Sequence, residues 1–488
     1  MKLTTIKQLL LTLFIAFSTY SVYAYDFEVD GIYYDVISTT ELTCKVAKAK
    51  YTGDIIVPAT VDYKNRSFQV IDISDSFKST TIKSIILPNT VTIIEKEGFL
   101  DCNLLTKIEL SDNITSIGNN AFKNCYKLSA VNLPDKLETI AYGAFSYCTE
   151  LVSVQIPNSV ISIGGAVFEK CTSLINVTIG NSVKTIGDNV FKNCDSLKSI
   201  SLGNNVKTIG SSAFYECSSL ISVTLPNSVT TLGYWSFIDC ASLETIKLSE
   251  SLTKIERGCF KGCESLTSLT IPGSVKYISL YHLTKSSSAD HTFPNSLHEL
   301  KIEYGETPLT SEFYNGQWDQ SGLWDEDWHN KPMTWTNKIE NVFFDRELNT
   351  DFRSLPSLKE LTIGEHLKKV PINNIAKCGN LTTIISCAPN PPVLPTCSAK
   401  QFMDVIVKVP EQSLSLYQQA DGWKNFWNLE GDPSLNSNTS GVENIILENP
   451  EKVETGRYDL NGRPVSDSYK GITIVRYSDG STTKVMNK

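Results

Sequence analysis

Apolar positions along this chain fall on a single 23-residue period from Phe99 to Ile278, without an insertion. Phenylalanine recurs at Phe99, Phe122, Phe145, Phe168, Phe191, Phe214, Phe237 and Phe260. A cysteine follows each by three residues, giving the pairs Phe122 and Cys125, Phe145 and Cys148, Phe168 and Cys171, Phe191 and Cys194, and Phe214 and Cys217 in the middle of the run. The unit generalises to FxxCxxLxx[IV]x[LI]Pxx[VL]xxIxxxA, with Gly or Ser at some Pro positions. Such a period means a stack of near-identical coils, none of which can bury its apolar face alone. In one coil, Leu128, Val131 and Leu133 are spaced as the inward side of a short strand. Pro134 ends it, because proline fixes φ and has no N–H to give to a ladder. Leu137 and Ile140 form a second inward pair, and Ala144, Phe145 and Cys148 close the turn. Gly118, Gly164, Gly187, Gly210 and Gly233 stand after the second pair, where a tight corner is expected.

The flanks vary this theme. Residues 25–38 alternate apolar and polar about Asp30-Gly31, a strong hairpin signal, and the strand-like segment that follows is expected to cap the first coil up to residue 81. Regular coils span 82–278. From Ser279 the register breaks, and residues 280–336 hold Trp318, Trp324, Trp328 and Trp335 with four of the five histidines. Coil fragments return at Leu297-Leu300-Ile302, Ile339-Val342-Phe344, Leu358-Leu361-Ile363 and Leu381-Ile384, so the stack is expected to continue to 386 beneath an elaborated loop. Residues 387–430 read as a closing cap covered by Tyr417, Trp423 and Phe426, and 431–441 as a polar linker. Short strands joined at Asn461-Gly462 and Asp479-Gly480 are expected in 442–488. The expected fold is a β-rich solenoid of parallel strands and short turns, with roughly 14 coils and a length of about 65 Å at the strand spacing.

Composition narrows the function. Residues 1–24 have Lys2 and Lys7, an apolar run from Leu9 to Phe17 and a small-residue end at Ala24, the layout of a cleaved secretory signal peptide. No later run reaches the length of a membrane span. The net charge is −9, and loss of the segment with its two lysines and no acids leaves −11. An acidic chain without a Lys/Arg run is a poor partner for nucleic acid. Thirteen cysteines in an exported chain would ordinarily suggest disulfides. Eight share one phase of the repeat, however, and stack about 4.8 Å apart, somewhat beyond the Cβ separation of roughly 3.5 to 4.5 Å that a bridge needs. Buried free thiols are therefore expected, while a Cys387 to Cys397 bridge is left open. Single cysteines one coil apart also lack the clustered spacing of a zinc site, and no metal or other cofactor is expected.

These residues carry a family resemblance. The Phe, Cys and aliphatic positions of eight consecutive coils resemble the BspA-like, or Treponema pallidum-type, leucine-rich repeat of bacterial surface proteins. The inward Asn or Cys of the commoner leucine-rich pattern is replaced by Leu137, Val160, Val183, Val206, Val229, Leu252 and Val275, which removes the usual asparagine ladder. The segment "KGITIVRYSDG" near the end resembles the sorting segment of Bacteroidetes proteins exported by the type IX system. What the resemblance implies is a leucine-rich solenoid at the outer cell surface or secreted, acting in adhesion to host matrix protein, another cell or a glycan. A structural or polysaccharide-binding surface protein without a host role is the alternative.

No phosphate-cradling glycine loop, HExxH, GxSxG or EF-hand pattern occurs, which argues against an enzyme. Acidic residues of the insertion, Asp319, Asp325, Glu326 and Asp327, with His329, are the candidates for a catalytic group, against which a solvated acidic loop is the plainer reading. Binding fits better. Outward positions of successive strands carry Ser129, Asn132, Ser153, Gln155, Asn176, Thr178, Ser199, Ser201, Ser222, Thr224, Thr245 and Lys247, in rows rich in hydroxyls and poor in charge. Solenoids use such extended faces for large partners, although Ser and Thr also simply suit an exposed sheet. Trp318, Trp324 and Trp328 are a second candidate, for a protein or glycan on a neighbouring cell, or else a small satellite core. The chain is expected to act as a monomer.

Overall fold

The computed structural model of the chain describes residues 25–74, 76–280, 292–313, 336–349, 352, 355–436, 454–458, 471–477 and 482–487. Two compact units are present, Met1–Asp432 and Pro433–Lys488. The first begins with an antiparallel hairpin, Phe27–Val29 against Ile32–Ser38, with Val29 opposite Ile32. Asp30 and Gly31 both adopt left-handed φ, +50° and +80°, so their turn has the twist of the strands it joins. Lys64 and Asn65 repeat the device between Thr60–Tyr63 and Arg66–Asp72. These strands belong to a five-stranded sheet whose buried side carries Phe27, Tyr34, Phe68 and Val70.

Next comes a right-in-register stack. Most regular coils have a three-residue strand, such as Asn176–Thr178, then a two-residue strand, such as Thr185–Ile186, then a turn without strand. Every pairing is parallel and links residues 23 apart, as in Val177 with Ile200 and Ile186 with Ile209. One inward residue per strand side meets its equivalents above and below, so Leu174, Val177, Val183 and Ile186 are all buried. The longer strands line one side in sheets of three, five and seven, and the two-residue strands line a second. Fragments seen beyond residue 279 become strands Glu299–Ile302, Asn341–Phe344, Glu360–Ile363 and Thr383–Ser386 of the seven-stranded sheet, which ends with Ile406–Pro410 and Asn428–Asp432.

The third side holds the phenylalanines. Rings from Phe77 to Phe260 stack one per coil, with neighbouring centroids 5.4 Å apart at Phe77–Phe99, 4.9 Å at Phe214–Phe237 and 6.2 Å at Phe237–Phe260. Phe77 begins the column one coil before the regular period. Within this turn alternate N–H groups bond to the next coil, Ala166 to Asp188, Phe168 to Val190 and Lys170 to Lys192 at 2.7 to 2.8 Å. The geometry requires two left-handed residues per coil, at Glu97, Asn120, Gly143, Ala166, Asn189, Ser212, Trp235 and Gly258, and again four residues later. Asn, Asp and Gly occupy many of these places because they tolerate that conformation best.

Two repeat positions have a further physical reason. Gly118, Gly164, Gly187, Gly210 and Gly233 need no left-handed backbone at their corner, since none has a positive φ. They are small because coils touch there: a Cβ on Gly187 would lie 2.7 Å from the Gly164 carbonyl carbon. Cysteines also do more than fill space. Sγ of each column thiol, at 23-residue intervals from Cys125 to Cys263, donates to the phenylalanine carbonyl of the preceding coil at 3.1 to 3.3 Å, as Cys194 does to Phe168. All thirteen are free thiols, Cys387 and Cys397 included.

The stack closes on Tyr417, Trp423 and Phe426, all buried, with Trp423 Nε1 donating to Pro392 O at 2.8 Å and Tyr417 Oη to Ala388 O at 2.9 Å. A short helix, Ala399–Asp404, starts with a capping box between Ser398 and Gln401. The second unit contains a three-stranded antiparallel sheet, Glu454–Tyr458, Gly471–Tyr477 and Thr482–Asn487, with Gly471–Tyr477 in the centre. Asn461-Gly462 and Asp479-Gly480 lie outside the described residues.

Candidate functional site

Parallel pairing without slippage turns an outward residue of the repeat into a row. Ser153, Asn176, Ser199, Ser222 and Thr245 pair in register, and beside them Gln155 pairs with Thr178, Thr178 with Ser201, and Thr224 with Lys247. All ten are exposed. Successive members of a row are separated by the strand spacing, about 4.8 Å, and the two rows by two residues of extended chain, about 6.6 Å. The face is thus a grid of small hydrogen-bonding groups on a rigid sheet. Only Ser199 Oγ to Asn176 Oδ1, 2.7 Å, is a side-chain hydrogen bond between row members among these described residues. Beside the rows, Val152 and Ile221 are each 44% exposed and add apolar contact area.

Ser129 and Asn132 stand apart from this arrangement. Both are exposed, but their coil lacks the three-residue strand, and at that position only the isolated bridge of Ala130 with Lys107 is formed. Leu128 and Val131 remain buried, so the coil keeps its core without completing the ladder. The first two rows therefore begin at Ser153. Trp318, Trp324 and Trp328 lie outside the described residues, as do Asp319, Asp325, Glu326, Asp327 and His329. Among the described residues no group of three or more His, Cys, Asp and Glu could hold a metal, and no helix is long and apolar enough to cross a membrane.

Sequence reasoning missed two polar features of the stack. Ser116, Thr139, Ser162, Thr185, Thr208 and Thr231 precede the inward residue of each two-residue strand and form a second hydroxyl row, with Thr139 Oγ1 donating to Ser116 Oγ at 2.9 Å. The recurring Ser/Thr before the second inward aliphatic was the available signal. An asparagine ladder also exists, on the outer corner instead of inside. Asn158 Oδ1 accepts from Asn181 N at 2.7 Å, and Asn181 Oδ1 from Asn204 N at 3.0 Å. The Pro-Asn step at the strand end foreshadowed it.

Comparison with known proteins agrees with this geometry. Residues 73–198 and 184–304 match the family model described as BspA type leucine-rich repeat region, in six copies. This stretch is therefore similar to BspA-type leucine-rich repeats. Among solved structures, this chain is similar to the T. pallidum leucine-rich repeat protein, at 27% identity over 40% of this chain and 90% of that one, TM-score 0.36. It is also similar to a leucine-rich cell surface protein of Faecalibacterium prausnitzii, at 20% identity over 75% and 96%, TM-score 0.36. A leucine-rich repeat protein of Bacteroides ovatus is similar at 20% identity over 80% and 81%, TM-score 0.34. No curated protein matches the sequence.

Proposed function

We propose that this chain is an exported, non-enzymatic binding module of the bacterial surface, whose three-residue strands hold an extended protein partner in adhesion. The observation that supports this most is the in-register row from Ser153 to Thr245 with the exposed positions from Gln155 to Lys247 beside it. Small Ser, Thr and Asn side chains lose little rotamer freedom when a partner covers them, and the parallel ladder beneath holds them at fixed spacing. Because most row members are neutral, binding should depend only weakly on salt. The signal-like residues 1–24 and the tail resembling a type IX sorting segment support export by that route.

The test is binding of the full chain to an array of matrix proteins and glycans, comparing the double variant Asn176→Arg with Ser222→Arg against Ser162→Arg with Thr208→Arg on the second sheet. A loss of more than about tenfold for the first pair alone, little changed between low and high salt, is expected. Equal affinity of both variants and the parent would reject the strand face as the binding surface. Removing the tryptophan-bearing segment 314–335 tests the other candidate in the same assay.

A further inference from the structure

A recess in the irregular coils has the construction of a small-molecule site. In regular coils the corner after the long strand has three residues between inward side chains, as Pro272, Gly273 and Ser274 do between Ile271 and Val275. After Ile302 the corner has six, Glu303 to Pro308, before Leu309 turns inward. Cavities flank this enlarged corner, one of about 530 Å³ toward the corners of the three following coils and one of about 440 Å³ toward Gly273 and Ser274. The larger lies within the range of small-ligand pockets.

Its base is rigidly made. Arg346, 2% exposed, donates from Nη1 to Gly273 O at 3.1 Å and to Val275 O, and from Nε to Thr307 O, so main-chain carbonyls occupy the guanidinium. Asp345, also buried, accepts from His366 N at 2.8 Å and places its other oxygen 3.0 Å from His366 Nδ1. Gly305 and Gly364 make these side chains possible, since a Cβ on either would collide with Arg346 or Asp345. With Nδ1–H donated to Asp345, Nε2 of the imidazole remains as an acceptor. The imidazole also packs on the Tyr304 ring, centroids 3.9 Å apart, while Tyr304 stays 48% exposed. Glu306, Glu365 and Asn390 add polar groups to the lining.

We propose that this recess binds a neutral saccharide of one or two sugar rings. A pyranose has one face of C–H bonds, which suits the negative face of an aromatic ring, and an equator of hydroxyls, which suits fixed acceptors and an amide. Tyr304 supplies the first, and His366 held by Asp345 supplies the second together with Glu365 and Asn390. Charge opposes an acidic sugar, because Glu306, Asp345, Glu347 and Glu365 outnumber Arg346 and Lys368. Size disfavours a single lysine or arginine side chain of a protein partner, which would leave most of 530 Å³ unfilled. The site is separate from the strand rows and does not depend on them.

Calorimetric titration of the full chain with glucose, galactose, N-acetylglucosamine, cellobiose, maltose and lactose tests this, beside glucuronate and a tri-lysine peptide. Saturable binding of at least one neutral sugar is expected, weakened about 5- to 10-fold by Tyr304→Ala and comparably by His366→Ala. Tyr304→Ala should leave the thermal midpoint in place, and Asn176→Arg should leave sugar binding unchanged. Absence of binding by every neutral sugar, binding indifferent to both recess variants, or occupancy only by glucuronate or tri-lysine would each overturn the proposal.

Discussion

Replacing Phe191 by alanine tests the central packing claim. Its ring is fully buried, with centroids 5.6 Å from Phe168 and 5.4 Å from Phe214. The lost transfer free energy is about 2 kcal/mol. A residual void of about 75 Å³ would add roughly 2 kcal/mol at about 24 cal/mol per Å³. The expected destabilisation is therefore about 4 kcal/mol, inside the usual range of about 3 to 5 for a buried phenylalanine. Urea unfolding followed by far-UV circular dichroism should show the midpoint falling at unchanged slope. Because a stack can open in segments, a local readout is also needed. Cys194 lies in the same coil, and its thiol is buried, so its labelling rate reports opening there. At fixed denaturant that rate should rise by about 10³, the equivalent of roughly 4 kcal/mol. Phe191→Leu keeps an apolar side chain and should cost about 1 to 2 kcal/mol. If Phe191→Ala left both midpoint and labelling within about 0.5 kcal/mol of the parent, an effect typical of a surface site, the stacked assignment would be wrong.

Other consequences are accessible to simpler assays. Burial pushes the Cys44 and Cys387 thiols up to about 11 and Cys259 to about 12, and raises those from Cys125 to Cys263 as well. Unfolded thiols ionise near 8.5, so the folded state alone keeps these protons above that pH. The thiol contribution to stability should be constant below about pH 8 and fall above it, by up to about 1.4 kcal/mol per pH unit for each thiol, while a variant with several column cysteines changed to alanine shows a shallower fall in urea midpoint. Gly187→Ala places a Cβ 2.7 Å from the preceding coil and should destabilise by about 1 to 3 kcal/mol, read as a lower thermal midpoint. Asn181→Ala removes one rung of the corner ladder and should cost only about 0.5 to 1.5 kcal/mol by urea titration. Arg346→Ala strips donors from buried carbonyls of Gly273, Val275 and Thr307 and should cost several times more in the same titration, without rescue by Arg346→Lys, which lacks the forked donor set.

The repeat of Phe191, Cys194, Leu197 and their equivalents was legible because solenoid packing is nearest-neighbour: each inward residue meets its own copy 23 residues away. Period alone thus implies parallel coils, an aliphatic and aromatic core, and outward hydroxyl rows such as Ser199 and Ser201. Hairpin turns were legible for an equally local reason, since Asp30-Gly31 carries its own left-handed preference. Features that depend on how one coil approaches the next were not. The small residue at Gly187 answers to a backbone contact, the two left-handed columns pass through Trp235 and Tyr147 as well as asparagines, and the coil at Ser129 lacks the longer strand while keeping the same inward residues as its neighbours.

The recess marks the boundary most clearly. Tyr304, Asp345 and His366 come from three coils of unequal length, so no common period relates them, and nothing local distinguishes His366 from a surface histidine. Only stacking of an enlarged corner against shorter ones sets the imidazole against Tyr304 and buries Asp345 behind it. What the sequence by itself determined is whatever repeats, because a repeated residue meets itself. Tertiary structure decided what does not repeat, because partners distant in the chain are chosen by the space that each coil leaves for the next.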